Sequence, residues 1–294
     1  MLRQRLEKLF QDQLDGGSDG PAPDFTQPAG ESALSHPDSV SWIVFGNPVS
    51  LFIGGITAVL LELAEPKVRS GVWDHTTFRT DPLKRMRRTG LAAMVTVYGA
   101  RSVAERMIAG VRRMHDRVQG LTPDGIPYQA NDPELLRWVH ATAAFGFLEA
   151  YHHYVRPVSL SDRDRFYGEG VSVALLYGAH SAPATEDELK LLFSEVQPRL
   201  EESEIIFEFL DIIRDLPLLP SPLRPMNHLF VRAAIQLLPP AIRESLGLQS
   251  EGLPIGAAPL IRILGRLADR LDLDSSPANQ ARRRVGQSVS DNGR

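Results

Sequence analysis

A chain of 294 residues with 43% apolar residues can bury the core of one large domain or two modest ones. Its formal charge of −4 argues against a nucleic-acid binder, whose domain normally carries a basic face. The absence of cysteine removes disulfides, zinc–thiolate sites, iron–sulfur clusters, thiol nucleophiles, covalent c-type haem attachment and thiolate axial ligation together. Any metal must therefore be held by histidine or carboxylate.

Residues 1–14, MLRQRLEKLFQDQL, mix charged and apolar groups at helical spacing and lack the continuous apolar run of a secretory signal. They predict a short amphipathic segment and a cytoplasmic protein, with peripheral membrane binding left open. The Gly-, Pro-, Ser- and Asp-rich stretch that follows predicts a flexible linker, so that 1–40 form an N-terminal extension. The apolar stretch Val49–Leu61 is too short to span a bilayer and predicts a buried core helix.

From there apolar residues recur at i, i+3, i+4 and i+7, and alternating strand-like runs are few. The fold predicted is all-α, a single-domain multi-helical globule over 41–272, with helices at 48–65, 81–97, 101–118, 132–155, 161–179, 185–199, 201–214, 224–237, 239–246 and 257–271. Asn131-Asp132-Pro133-Glu134 offers a cap residue, a first-turn proline and an acid at the positive helix end. Thr185-Glu186-Asp187-Glu188 has the capping-box spacing. Gly54-Gly55 inside the apolar helix suits close approach of another backbone, by helix packing above all, or of a flat ligand. Residues 273–294 read as a disordered tail with Arg282–Arg284 solvated.

Three stretches carry polar groups at suggestive spacings. Arg85, Arg88 and Thr89 fall at i, i+3 and i+4 on one helix face, as a solvated basic surface or as the wall of an anion pocket. Arg112 and His115 are i, i+3 neighbours, so an imidazole facing a metal would have a guanidinium one turn away. A histidine in a basic helix is more commonly a surface or packing residue, and spacing does not separate the two. His140 lies among small and apolar residues, as a buried core histidine or a pocket residue. His152-His153 point about 100° apart on a helix, which disfavours a joint metal site. No HExxH, repeated ExxH, GxSxG, Walker A or dinucleotide glycine motif is present.

The order of several blocks resembles the MpaB-type haem oxygenase family, which includes the bacterial latex clearing proteins. These are FGNPVSLFIGGITAVLLELAEP (45–66), GVWDHTTFRTDPLKRMRRT (71–89), VRRMHDRVQG (111–120), YQANDPELLRWVHAT (128–142), PVSLSDRDRFYGE (157–169) and LLPPAIRESLGL (237–248). No single block is strongly diagnostic; their order and spacing together are.

The resemblance implies haem b, with iron on His115 and Arg112 near a propionate. It matches Arg85, Arg88 and Thr89 to an Arg-x-x-Lys-Thr segment on the distal side. Here Arg88 replaces the lysine, and arginine is a poor iron ligand, so the expected distal position is not amine-capped. Arg88 and Thr89 are then expected beside iron-bound oxygen, with Arg85 at a propionate or bracing the pocket and His140 in the cofactor cavity. Where many relatives carry a histidine before the proline at 66, this chain has Glu65, read as a helix-end polar group in preference to a pocket carboxylate. The implied activity is O2-dependent oxidation of an unsaturated, possibly isoprenoid, or other hydrophobic substrate, with an electron donor allowed for. The alternatives are a haem-dependent tailoring oxidase or hydroxylase of a small metabolite, and a non-catalytic haem-binding or sensing protein.

Overall fold

The computed structural model describes residues 23–217, 225–271 and 273–291. Among them are thirteen α-helices and one two-stranded antiparallel hairpin, so the fold is all-α. In chain order come α1 (Val40–Val44), α2 (Pro48–Ala64), α3 (Pro66–His75), α4 (Pro82–Tyr98) and α5 (Arg101–His115). The hairpin follows as β1 (Gln119–Leu121) and β2 (Pro127–Gln129), with Gly120 opposite Tyr128. Then come α6 (Pro133–Tyr154), α7 (Leu160–Tyr177), α8 (Glu186–Val196), α9 (Glu204–Asp215) and α10 (Pro225–Leu237). The chain finishes with α11 (Pro240–Ser245), α12 (Ala258–Asp269) and α13 (Pro277–Asp291).

Helix starts follow the local chemistry. Prolines open α2, α3, α4 and α6, where the missing N–H has no intrahelical role. Asn47, Glu65, Asp81 and Asp132 each accept from first-turn N–H groups. At α8 the Glu188 N–H donates to Thr185 Oγ1 at 3.2 Å, and Glu188 Oε2 accepts from the Ala184 N–H at 2.7 Å. The predicted box therefore closes, reaching one residue further back than the standard form.

The centre of the molecule is the pairing of α2 with α6. Their backbones meet at Gly54 and Gly146, where a Cβ on Gly146 would stand 2.3 Å from the Gly54 carbonyl oxygen. Only two glycines permit that approach. Around the crossing, Ile53, Ile56, Leu60, Leu61 and Leu63 of α2 pack with Trp138 and Leu148 of α6. The Trp138 indole N–H donates to the Leu61 carbonyl at 3.2 Å. At Glu65 the chain bends by 111° between α2 and α3. Among the described residues no single helix is long and apolar enough to cross a membrane.

Several expectations need correction. The helix expected over 101–118 ends at His115, because Gly120 packs closely beneath the Tyr128 ring as the hairpin begins. Helices α1 and α3 arise in segments given no element, and α3 is held by the Glu65 cap and Pro66. The linker expected to run to residue 40 is packed from Phe25 onward, with Phe25 and Ala33 in a second core beside Trp42, Tyr98 and Ala281. Of the tail expected to be disordered, Pro277–Asp291 form α13. Arg284, expected in solvent, is wholly buried and donates to the Phe25, Glu31 and Tyr98 carbonyls at 2.7, 2.7 and 2.9 Å. Those bonds satisfy the guanidinium where a low-dielectric site would otherwise reject it. The amphipathic segment expected over 1–14 lies outside the described residues.

Candidate functional site

His115 is the last residue of α5 and continues its buried stripe of Ala104 and Ile108. Its Nδ1 is buried, as is Oδ1 of the neighbouring Asn131, whose side chain interacts with the ring. Asn131 is fixed at the other end of its amide, where Nδ2 donates to the Arg112 carbonyl at 3.0 Å and to Asp116 Oδ1 at 2.6 Å. Desolvation holds the His115 pKa below its ordinary value. Asn131 opposes that shift from beside the ring, Arg85 adds to it, and Asp116 opposes it. The imidazole is therefore neutral near pH 7, with a lone pair to offer and an amide oxygen beside it positioned to favour one tautomer.

Arg85 of α4 lies close enough for its charge to act on the His115 ring. Its guanidinium lies 5.1 Å from the centre of the Phe78 ring and donates to Thr89 Oγ1. Desolvation lowers its pKa, the Glu62 charge raises it, and Arg88 lowers it. Arginine remains charged throughout, given its intrinsic basicity.

Glu62 is the residue that the sequence reading missed. Desolvation raises its pKa to about 7, against the opposing effects of Arg85 and a hydrogen bond from Thr142. Glu62, Arg85 and His140 all keep partly accessible side chains although loss of water dominates their titration. Glu62 and Arg85 sit close enough for the charge of each to act on the other. The signal in the sequence was a lone carboxylate inside the apolar run ITAVLLELA, one turn before the Glu65 that drew attention instead.

The other expected residues are distributed differently. Thr89 braces Arg85: it is exposed, accepts from that guanidinium and donates to the Arg85 carbonyl at 3.0 Å. Arg88 turns outward and reaches Met114 Sδ at 3.4 Å, bridging α4 to α5 beside His115. The less exposed guanidinium is Arg85, whereas Arg88 lies on the exposed flank of α4. Arg112 is exposed and lies against Gly178, the left-handed cap of α7. His140 faces α7, where a Cβ on Gly170 would come within 3.2 Å of its Nε2. Burial lowers its pKa to about 4, so it is neutral. Glu65 caps α3 through the Val68 N–H at 2.8 Å, the helix-end role read for it. His153 pairs with Glu149, whereas His152 Nδ1 accepts from the Val158 N–H at 3.0 Å, so the two adjacent histidines serve different partners.

Among the described residues no three His, Asp or Glu side chains converge as metal ligands. A polar cleft of about 480 Å³ between α9 and α10 is lined by Asp211, Arg214, Asp215, His228, Arg232 and Glu251, none of which belongs to the His115 cluster. Compared with known proteins, residues 42–282 match the family model described as ER-bound oxygenase mpaB/B′/Rubber oxygenase, catalytic domain. No curated protein and no solved structure matches the chain.

Proposed function

Because the chain belongs to the family of ER-bound oxygenase mpaB and rubber oxygenase catalytic domains, we propose that it is a haem b-dependent oxygenase with iron held by His115. The observation that carries this reading is the buried, neutral His115, whose Nδ1 stands beside the Asn131 amide oxygen. With Nδ1–H donating to Asn131, the lone pair left for a metal is that of Nε2. One neutral histidine suits a macrocycle that brings its own four nitrogens. Haem b supplies iron able to bind and activate O2.

The protein's own residues then divide the remaining work. Arg85 places a fixed positive charge near His115, where negative charge developing on an oxidised substrate would be stabilised. Thr89 and Phe78 hold that guanidinium in place. Glu62, titrating at about 7 beside it, can hold or accept a proton at its carboxyl oxygens near neutral pH. His140 stays neutral between its own helix and α7. Arg88 links the helix bearing Arg85 to the helix bearing His115. The substrate class that fits is a hydrophobic, unsaturated molecule, a polyprenoid among them.

The test is product analysis after incubation of haem-reconstituted protein with O2 and two panels, polyprenoids and small aromatic or terpenoid metabolites. New carbonyl products from the first panel support double-bond cleavage, and hydroxylated products from the second support a tailoring oxidase. Haem binding with no product from either would contradict the oxygenase reading.

A further inference from the structure

The helix α12 is seated on the α2–α6 pair through its buried face, and beside that face Arg262 Nε and Arg266 Nε donate to the His153 and Val155 carbonyls at 2.9 and 3.4 Å, leaving their terminal nitrogens outward. Ile261 and Gly265 are buried, with Gly265 so close to α6 that a Cβ would stand 2.3 Å from the Tyr154 carbonyl oxygen. The Gly265 carbonyl accepts from Asn47 Nδ2 at 2.8 Å, which ties the helix to the start of α2.

The opposite side is unusually apolar. Leu260, Ile263 and Leu267 are 46%, 55% and 53% exposed, and their spacing of i, i+3 and i+7 makes one stripe, with Leu271, 47% exposed, just past the helix end. Ile255, in the loop ahead of the helix, is fully exposed. Adjoining the stripe is a row of exposed arginines, Arg262, Arg266 and Arg270, at i, i+4 and i+8. At ~100° per residue the leucines and the arginines occupy adjacent sectors, and the buried face occupies the third. The one acid on the helix, Asp269, is engaged by Arg156 at 2.7 Å.

We propose that α12 is a surface for an anionic lipid bilayer, lying in the interfacial plane with its leucine stripe among the acyl chains and its arginine row among the headgroup phosphates. A stripe of large aliphatic side chains bordered by cations is the arrangement that interfacial helices use, and arginine stems can lie along the apolar surface while their heads reach phosphate. Charge complementarity selects this occupant over a second copy. A two-fold antiparallel pairing of α12 helices through the stripe would bring the arginine rows alongside one another, with Asp269, the helix's own acid, already engaged by Arg156. The inference does not depend on the haem reading, because none of these residues belongs to the His115 cluster.

The experiment uses the full chain in vesicle flotation, with phosphatidylcholine vesicles prepared with and without phosphatidylglycerol. Flotation is expected with the anionic vesicles. It should weaken when the salt is raised from about 0.1 M to about 1 M, which shortens the Debye length from about 10 Å to about 3 Å. The double variant Ile263→Glu/Leu267→Glu, checked for a native circular-dichroism melt, is expected to bind at least ~10-fold more weakly. Should that variant not fold, Leu267→Trp replaces it. The three native tryptophans are buried, so a blue shift and quenching by brominated lipid would report the stripe itself. Undiminished flotation of the folded double variant overturns the proposal, as does indole emission in the Leu267→Trp protein that vesicles neither shift nor quench. So does salt-insensitive dimerisation without vesicle binding.

Discussion

Glu62→Gln should raise the stability of the cofactor-free protein, and the gain should depend on pH. The wild-type carboxyl titrates at about 7 when folded, against an ordinary 4.5. The native state therefore binds more protons than the unfolded chain between those values, and stability falls as pH rises through that window. Each pKa unit is worth about 1.4 kcal/mol, so the full penalty is of order 3 kcal/mol above pH 7 and vanishes below pH 4.5. Glutamine carries no charge in either state, so the variant should match wild type near pH 4 and exceed it by about 3 kcal/mol at pH 8. At roughly 2–4 °C per kcal/mol for a chain of this size, the melting temperature should differ by about 6–12 °C at the higher pH. Urea unfolding of both proteins across the range measures this directly. Parallel pH profiles with a constant offset would refute the buried-carboxylate reasoning.

Gly146→Ala should destabilise the protein by more than ~3 kcal/mol, because its Cβ would collide with the Gly54 carbonyl at the α2–α6 crossing. Gly90→Ala, where nothing lies within 4 Å of the added Cβ, serves as the control and should stabilise by about 0.5–1 kcal/mol in the same denaturation assay. Arg284→Met strips three carbonyls of their donor and should cost at least ~3 kcal/mol, read as a lowered urea midpoint. Arg85→Met should leave the protein folded and raise the His115 pKa, because a positive charge that opposes imidazole protonation is removed. NMR titration of the His115 ring checks the direction.

What was legible in the sequence is what periodicity encodes. The long apolar helices α2 and α6 announce themselves by their stripes, and capping residues place the starts of α6 and α8. Gly54 reads as a close-packing position because a glycine in an apolar helix has little other use, and its partner Gly146 shows only in three dimensions. Helix α13 is illegible for a physical reason. Its tertiary anchors, Ala281 and Arg284, include an arginine whose burial depends on three carbonyls from remote segments. Helix α3 depends on Glu65 accepting from Val68, a cap that resembles any acid before a proline.

At the site, spacing puts Arg85, Arg88 and Thr89 on neighbouring positions without saying which one turns inward. That depends on Phe78 and Glu62 around Arg85, and on Met114 drawing Arg88 away. The partner that favours one tautomer of His115 is Asn131, sixteen residues on across the hairpin, a separation that no helical period registers.

The central claim rests on His115, and the most direct measurement is the absorption spectrum of wild type and His115→Ala after haem reconstitution, oxidised, reduced and with CO. A Soret band with an available coordination position is expected in the wild type, and loss of tight haem binding in the variant. Equal haem content and an unchanged spectrum in His115→Ala would contradict it.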